Sequence, residues 1–279
     1  MPLHLPSPVA RRVRAARAAW KAVLHPDETL RDDPVEMFEV IVDLGRQLLR
    51  TDADLLRSEG AAWRARRPAT TGLREMIHAL ARSRQFDQLT GVVRYRQHHA
   101  PTPVKWSNVL FDPVNAEGQR VAVFTTDLVR VVPPAEGVML DPARHVIFAT
   151  PWKRTDFVNA LANYGRPGTP WRYDPGEQAA TLVEPFGFAF MRNGNHSTAA
   201  AMLRGELALP ATELADWSPV LRQLRCDGRV VRRAPDGQVV GLVRDPVFAA
   251  IMELGRLHVE HQDRTDAAPD TASPHVGAP

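Results

Sequence analysis

Cysteine is almost absent from this sequence, since Cys226 is the single one among 279 residues. One cysteine excludes an internal disulfide and a multi-cysteine zinc site. Apolar residues make up 44% of the chain, but no run approaches the roughly 18–20 residues that span a bilayer. The start, Met1-Pro2-Leu3-His4, lacks the charged and apolar segments of a secretory signal. We therefore expect a cytoplasmic protein that does not enter a membrane.

Lysine is also scarce, because it accounts for only three of the 35 basic residues. Codon usage in a GC-rich genome explains such an arginine excess most simply. The alternative is phosphate recognition, since guanidinium groups match phosphate oxygens in a bidentate way. The formal net charge of +3 is too small to predict nucleic-acid binding by itself.

The first third of the chain reads as helical. Val9–Leu24 is rich in Ala and Arg, and Asp33-Pro34 opens a second helix with proline at its first helical position. A further helix fits Thr71–Leu80, and the pattern can continue over residues 84–99. We therefore predict a helical region over residues 1–103.

Beyond residue 103 the pattern changes to short β-branched runs separated by Pro and Gly. A hairpin is predicted over residues 229–243, and a last helix over Pro246–His261. Residues 104–261 are thus predicted to form a mixed domain, and residues 262–279 a disordered tail. The fold class that follows is α+β, with a helical N-terminal region and a small mixed-sheet domain.

A strand–turn–helix–strand unit is the clearest local pattern. The apolar segment Phe186–Arg192 predicts a strand, and the polar residues of Asn193–Ser197 predict a turn. Ser197–Arg204 predicts a short helix that ends at Gly205, before a return strand over Leu207–Thr212. The alanines after the turn would let this helix lie close against a sheet.

The predicted turn has the chemistry of an anion site. The first N–H groups of a helix and its dipole both favour negative charge. Either Asn195 or Ser197 could cap the helix, and His196 can donate, accept or carry a proton near neutral pH. The alternative stays open that these side chains only satisfy the local backbone.

The turn resembles the core motif of the ParB/sulfiredoxin-like superfamily. The likeness covers about residues 145–216, and the chain looks closest to bacterial proteins of uncharacterised function that carry a Gly-Asn-His-Ser turn. It rests on these residues: Gly194, Asn195, His196, Ser197, Ala199, Ala200, Gly205 and Pro210.

The resemblance implies a nucleotide as ligand, because members hold nucleotide phosphates at this turn and helix start. It would place these residues at the phosphates: Gly194, Asn195, His196 and Ser197. Asn193 of the same predicted turn is a further ligand-binding candidate, and His196 is the candidate catalytic residue, because it could transfer a proton. Partition proteins have two arginines where this chain has His196 and Ser197. Compensating cations would have to come from elsewhere in the chain, with these candidates: Arg192, Lys153 and Arg154.

Two functions therefore remain open. The first is a nucleotide- or phosphate-binding domain, with hydrolysis as an added activity, and the second is a non-catalytic, DNA-associated interaction module. Sulfiredoxin chemistry is not expected, since it needs a cysteine in the turn and Cys226 lies well after it. His258 and His261 could share a metal ion, but within the predicted last helix only Glu253 and Glu260 could add carboxylate ligands, and we predict no metal site.

Overall fold

The structure is a computed structural model, and it describes residues 33–59, 71–94, 109–121, 129–135, 137–164 and 169–266. Its helices are α1 Pro34–Glu59, α2 Thr71–Arg94, α3 Arg154–Asn163, α4 Asn195–Arg204, α5 Ser218–Gln223 and α6 Pro246–Asp266. Its strands are β1 Asp112–Pro113, β2 Arg130–Val132, β3 Met139–Leu140, β4 Val146–Phe148, β5 Ala179–Glu184, β6 Phe188–Asn193, β7 Leu209–Pro210, β8 Glu213–Asp216, β9 Leu224–Cys226, β10 Val230–Arg233 and β11 Val239–Leu242. Helices precede a sheet-rich part, which confirms the predicted α+β class.

The described residues include a five-stranded mixed sheet in the order β2-β8-β5-β6-β4. β4 pairs with β6 in parallel, and β5 is parallel to β8 and antiparallel to β6. Because β4 and β6 are parallel, their carboxyl ends meet at one edge of the sheet. α3 begins shortly after β4 and α4 directly after β6, so both helix starts lie at that edge, where open α/β sheets commonly bind ligands.

The strands send alternate side chains into two hydrophobic clusters, one on each sheet face. Phe148, Phe188 and Phe190 join the cluster that contains the apolar side chains of α1, α2 and α6. Ile147 and Ala189 join the cluster that contains α3 and α4. Three alanines of α4 are completely buried, which confirms that this helix lies close to the sheet: Ala199, Ala200 and Ala201.

Helix α6 is the centre of the larger cluster. Every residue from Val247 to Val259 is buried, and the helix contacts α1, α2 and α5. Two close approaches depend on glycine, because a Cβ at Gly45 would overlap Leu254 and a Cβ at Gly255 would overlap the ring of Phe186. The absence of side chains at these two positions lets α1 and the β5–β6 turn reach α6.

Several predicted boundaries are wrong. β6 starts at Phe188 instead of Phe186, because residues 185–187 form the turn that follows β5. The return strand is split, because β7 pairs with β3 while β8 joins the main sheet.

The predicted disordered tail begins too early. Helix α6 continues through Asp266, five residues into the segment 262–279. An ion pair between Arg222 of α5 and Asp263, with an N–O distance of 2.8 Å, ties the last turns of α6 to the fold. The remainder of the tail lies outside the described residues, as do Val9–Leu24.

The predicted hairpin is confirmed as β10 and β11. It belongs to a four-stranded antiparallel sheet in the order β1-β11-β10-β9. Within the part of the chain that the structure describes, no helix is both long and apolar enough to cross a membrane.

Candidate functional site

The predicted Asn193–Ser197 turn is shorter in the structure, because β6 ends at Asn193, α4 begins at Asn195 instead of Ser197, and Gly194 alone connects them. Gly194 is the N-cap of α4 and has a φ of +73°, which glycine adopts with least strain. A Cβ there would also lie 2.6 Å from Gln178 Cγ and 2.9 Å from the carbonyl oxygen of Glu177. The prediction that Asn195 or Ser197 caps the helix is therefore wrong, since α4 carries no side-chain cap.

Asn195 is buried and fixes the turn to the end of β4. The backbone N–H of Thr150 donates to Asn195 Oδ1 over 2.8 Å, and Thr150 Oγ1 donates to Gln88 Oε1 of α2 over 2.7 Å. Within the described residues Asn195 Nδ2 donates no hydrogen bond, although Asn195 lines the pocket described below. The amide of Asn195 is thus held through its oxygen.

We expect Asn195→Ala to lower the free energy of unfolding by about 2 kcal/mol, because it leaves the buried N–H of Thr150 without an acceptor. Equilibrium unfolding in urea measures the change. Asn193→Ala is the matched control, since Asn193 belongs to the same turn but is exposed, and its effect should stay within about 0.5 kcal/mol. Equal losses for the two variants would contradict the role of Asn195.

The side chain of Ser197, in the first turn of α4, makes two hydrogen bonds. Its hydroxyl donates to the carbonyl oxygen of Gly194 over 3.1 Å and accepts from Gln178 Nε2 over 3.2 Å. Gln178 in turn accepts through Oε1 from the N–H of Asp174 over 2.6 Å. The side chain of Ser197 therefore orders the glycine turn and the loop before β5.

His196 stands at the start of α4 with one ring nitrogen engaged. The backbone N–H of Lys153 donates to His196 Nε2 over 3.2 Å, so in the neutral ring the proton is on Nδ1. The Trp152 ring lies edge-on to His196 with centroids 4.5 Å apart. Burial lowers the pKa of His196 from its ordinary value, against the opposing effect of Asp156. The ring is therefore neutral at pH 7 and can donate through Nδ1.

These groups line a pocket of about 450 Å³ between α3 and the start of α4. Trp152 and Tyr164 supply aromatic surface, and the α3 side contributes amide and carboxylate groups. The lining residues are Trp152, Asp156, Asn159, Ala160, Asn163, Tyr164, Glu177, Gly194, Asn195, His196 and Ser197.

The predicted cations do not converge on this pocket. Arg192 pairs with Glu213 at 2.8 Å, and Arg154 donates to the carbonyl oxygen of Val93 at the end of α2. Lys153 Nζ lies 3.1 Å from Asp156 Oδ1 at the exposed rim. Of the eight predicted site residues, the structure brings these to the lining: Gly194, Asn195, His196 and Ser197. Asn193 is exposed at the end of β6.

The α3 wall was missed by sequence reasoning. Asp156, Asn159 and Asn163 repeat at a spacing of three and four residues, which places them on one face of a helix. That spacing could have identified a polar helix face, but not that this face lies opposite the turn. No sequence pattern indicated Glu177 as a site residue, because it lies in the loop before β5 and not in a periodic segment.

Other candidates fit structural roles. Arg232 and Arg233 of β10 could offer cations to a phosphate, but Arg233 pairs with Asp236 and Arg232 lies 3.9 Å from Asp227. Burial raises the pKa of Cys226 to about 12, so the thiol stays protonated. Among the described residues, no group of three or more His, Cys, Asp or Glu side chains is placed to hold a metal ion.

Comparison with known proteins identifies a family but no characterised relative. Neither the curated proteins nor the solved structures include a match to the chain. One family model, described as a family of unknown function, DUF6710, matches residues 37–265. The match runs from α1 to α6, and the chain therefore belongs to the DUF6710 family.

Proposed function

We propose that the pocket binds a nucleotide or another phosphate-bearing small molecule. The observation that carries this proposal is that four residues of the predicted anion-binding turn line a pocket together with an aromatic side chain, Trp152. The order β4, α3, β5, β6, Gly194 and α4 supports the resemblance to the ParB/sulfiredoxin-like core, which we retain as part of the proposal.

Neutral donors would hold the phosphate. The N–H of Thr198 is bonded to the carbonyl oxygen of Gly194, so the three N–H groups before it belong to the open first turn of α4. The helix dipole adds a partial positive charge at the same end. Asn195 Nδ2 and His196 Nδ1 add side-chain donors at the pocket wall. These N–H donors could together hold an anion without a lysine or an arginine.

Trp152 would contact the part of the ligand beyond the phosphate. Its side chain is 48% exposed, although it lines the pocket and packs against His196. An aromatic ring that presents its surface to a pocket suits a nucleobase, for which stacking contributes about 1–3 kcal/mol. Tyr164 at the other end of α3 gives the pocket a second aromatic group.

His196 is proposed as a hydrogen-bond donor to the ligand. A general base would need a free ring nitrogen, but Nε2 accepts from the Lys153 N–H and Nδ1 carries the proton. Proton abstraction would first require breaking that hydrogen bond. Binding is therefore the role that the geometry supports better than hydrolysis.

Isothermal titration calorimetry with ATP, CTP and their diphosphates and monophosphates tests this function. We expect binding of at least one of them, and His196→Ala and Trp152→Ala should each weaken it about tenfold. Arg192→Gln is the control, because Arg192 is paired with Glu213 outside the lining, and its affinity should match that of the unmodified protein. Unchanged affinity in both pocket variants would overturn the proposal, and so would the absence of heat for all the nucleotides, ribose 5-phosphate and inorganic phosphate.

The alternative of a DNA-associated module is tested with the same proteins. It predicts salt-sensitive retention of duplex DNA that persists in His196→Ala. The pairing of the hairpin arginines with acidic side chains makes that surface a poor phosphate-binding face, so we expect the mobility of DNA to be unchanged at low salt.

A further inference from the structure

The walls of the α3–α4 pocket differ in chemistry. The α4 side offers N–H donors, whereas Asp156 and Glu177 contribute acidic residues to the lining. The described lining residues include no lysine or arginine, and the nearby Lys153 Nζ is held at 3.1 Å from Asp156 Oδ1. A ligand that fits both sides must carry an anion at one end and hydrogen-bond donors at the other.

We propose that the ligand is a monophosphate ester of a sugar or nucleoside, and that Asp156 and Glu177 accept hydrogen bonds from its hydroxyl groups. This inference rests on the proposed function and narrows its substrate class. The monophosphate would lie at the start of α4, against the N–H groups and Asn195 Nδ2. The sugar hydroxyls would then reach the carboxylates, and Trp152 would cover the sugar or base.

Charge separates this ligand class from nucleoside triphosphates. A phosphate monoester carries about −1.5 to −2 charges at pH 7, which the donors of α4 and its dipole can accommodate. A triphosphate adds further negative groups that would extend toward Asp156 and Glu177. Like charges repel each other, although the Lys153–Asp156 ion pair reduces this repulsion at Asp156. A neutral hydroxyl instead donates to a carboxylate in a strong, charge-assisted hydrogen bond.

The polar amides of α3 fit the same ligand. Asn159 and Asn163 line the pocket on the same helix face as Asp156, and each amide can both donate and accept. A polyhydroxylated ligand uses such mixed partners, because each hydroxyl is itself a donor and an acceptor. A chain of phosphates offers only acceptors, so a phosphate placed beside Asp156 or Glu177 could not donate a hydrogen bond to either carboxylate.

The test compares affinities in the absence of divalent cations for these probes: inorganic phosphate, ribose 5-phosphate, AMP, CMP, ATP and CTP. We expect the tighter of AMP and CMP to bind at least about tenfold tighter than its own triphosphate. The tightest monophosphate ester should also bind at least about tenfold tighter than inorganic phosphate. Equal affinities of ribose 5-phosphate, AMP and CMP would identify the ligand as a sugar phosphate. Tighter binding of AMP or CMP than of ribose 5-phosphate would identify it as a nucleotide. Both results support the inference.

The double variant Asp156→Asn/Glu177→Gln probes the carboxylates directly. The ratio of triphosphate to monophosphate affinity should rise at least about tenfold, because repulsion is removed and charge-assisted acceptors are lost. Glu36→Gln/Glu39→Gln is the matched control, since it removes two exposed carboxylates from α1, which packs on the other sheet face. The ratio should not change in that variant.

The outcomes separate the two proposals. A triphosphate that binds as tightly as its monophosphate, monophosphate esters that all bind no tighter than inorganic phosphate, or an unchanged ratio in the double variant overturns this inference and leaves the phosphate site intact. Failure of every probe, inorganic phosphate included, overturns the proposed function itself.

Discussion

Phe186→Ala should lower the free energy of unfolding by about 3–5 kcal/mol, which is typical for removing a buried aromatic ring. Phe186 is completely buried at the β5–β6 turn and stacks on Phe188 with ring centroids 5.4 Å apart. Its ring also fills the space left by Gly255 of α6. The side chain thus joins the main sheet to the central helix.

A double-mutant cycle with Gly255→Ala isolates that contact. Alone, Gly255→Ala should destabilise the protein by about 1–2 kcal/mol, because overlap with the ring costs more than the roughly 1 kcal/mol gained in helix propensity. In the Phe186→Ala background the same change should become stabilising, because the ring is gone. Urea unfolding of the four proteins measures the coupling.

Gly72→Ala is the control for this cycle, because its nearest neighbour would lie 3.8 Å from the new Cβ. We expect no loss of stability from it in either background. Additive effects of Phe186→Ala and Gly255→Ala would show that the helix and the turn are not coupled through this ring.

Local patterns in the sequence predicted the elements around the site well. β5 occupies Ala179–Glu184, as its apolar run predicts, and Gly205 ends α4 in the left-handed conformation. These features depend on neighbours in sequence, since glycine conformation and strand alternation are local properties. The position of the glycine turn could therefore be found before the fold was known.

Contacts between distant segments could not be predicted in this way. The hydrogen bonds from Gln88 through Thr150 to Asn195 join α2, β4 and α4, although the amide of Asn195 suggested only a cap or a ligand contact. The acidic α3 wall became part of the site because α3 packs beside α4. Arg154 and Arg192 are absent from the described lining, and their side chains bond elsewhere, to the carbonyl oxygen of Val93 and to Glu213.

Helix α6 shows a second limit of sequence patterns. Its charged residues predict a solvated face, yet Glu253 and Arg256 are only 4% and 7% exposed. Arg256 pairs with Glu253 at 2.6 Å and also with Glu260. Spacings of three and four residues allow these partners to neutralise one another within the helix. Burial of α6 on all sides therefore does not require an apolar sequence on all sides.

Acidification should destabilise the protein between pH 6.5 and pH 4. Burial, with smaller effects of Arg74 and His261, lowers the pKa of His258 to about 4. Burial is also the main cause that lowers the pKa of His78 to about 4. Three further histidines also have lowered pKa values and should add to the loss of stability at low pH: His145, His196 and His261.

The direction follows from proton binding. The unfolded chain takes up a proton on each histidine near pH 6.5, whereas native His258 takes it up only near pH 4. The unfolded state therefore binds more protons in this window, so stability is full above pH 6.5 and is lost as the pH falls toward 4. His258 alone accounts for up to about 3 kcal/mol of this loss.

Urea unfolding at a series of pH values measures the slope of stability against pH. In His258→Gln the slope between pH 6.5 and pH 4 should decrease by the contribution of one proton, about 1.4 kcal/mol per pH unit. His196→Ala should reduce it less, because His196 is only partly buried. An unchanged slope in His258→Gln would contradict this prediction. It would show that protonation of buried His258 does not contribute to the loss of stability at low pH.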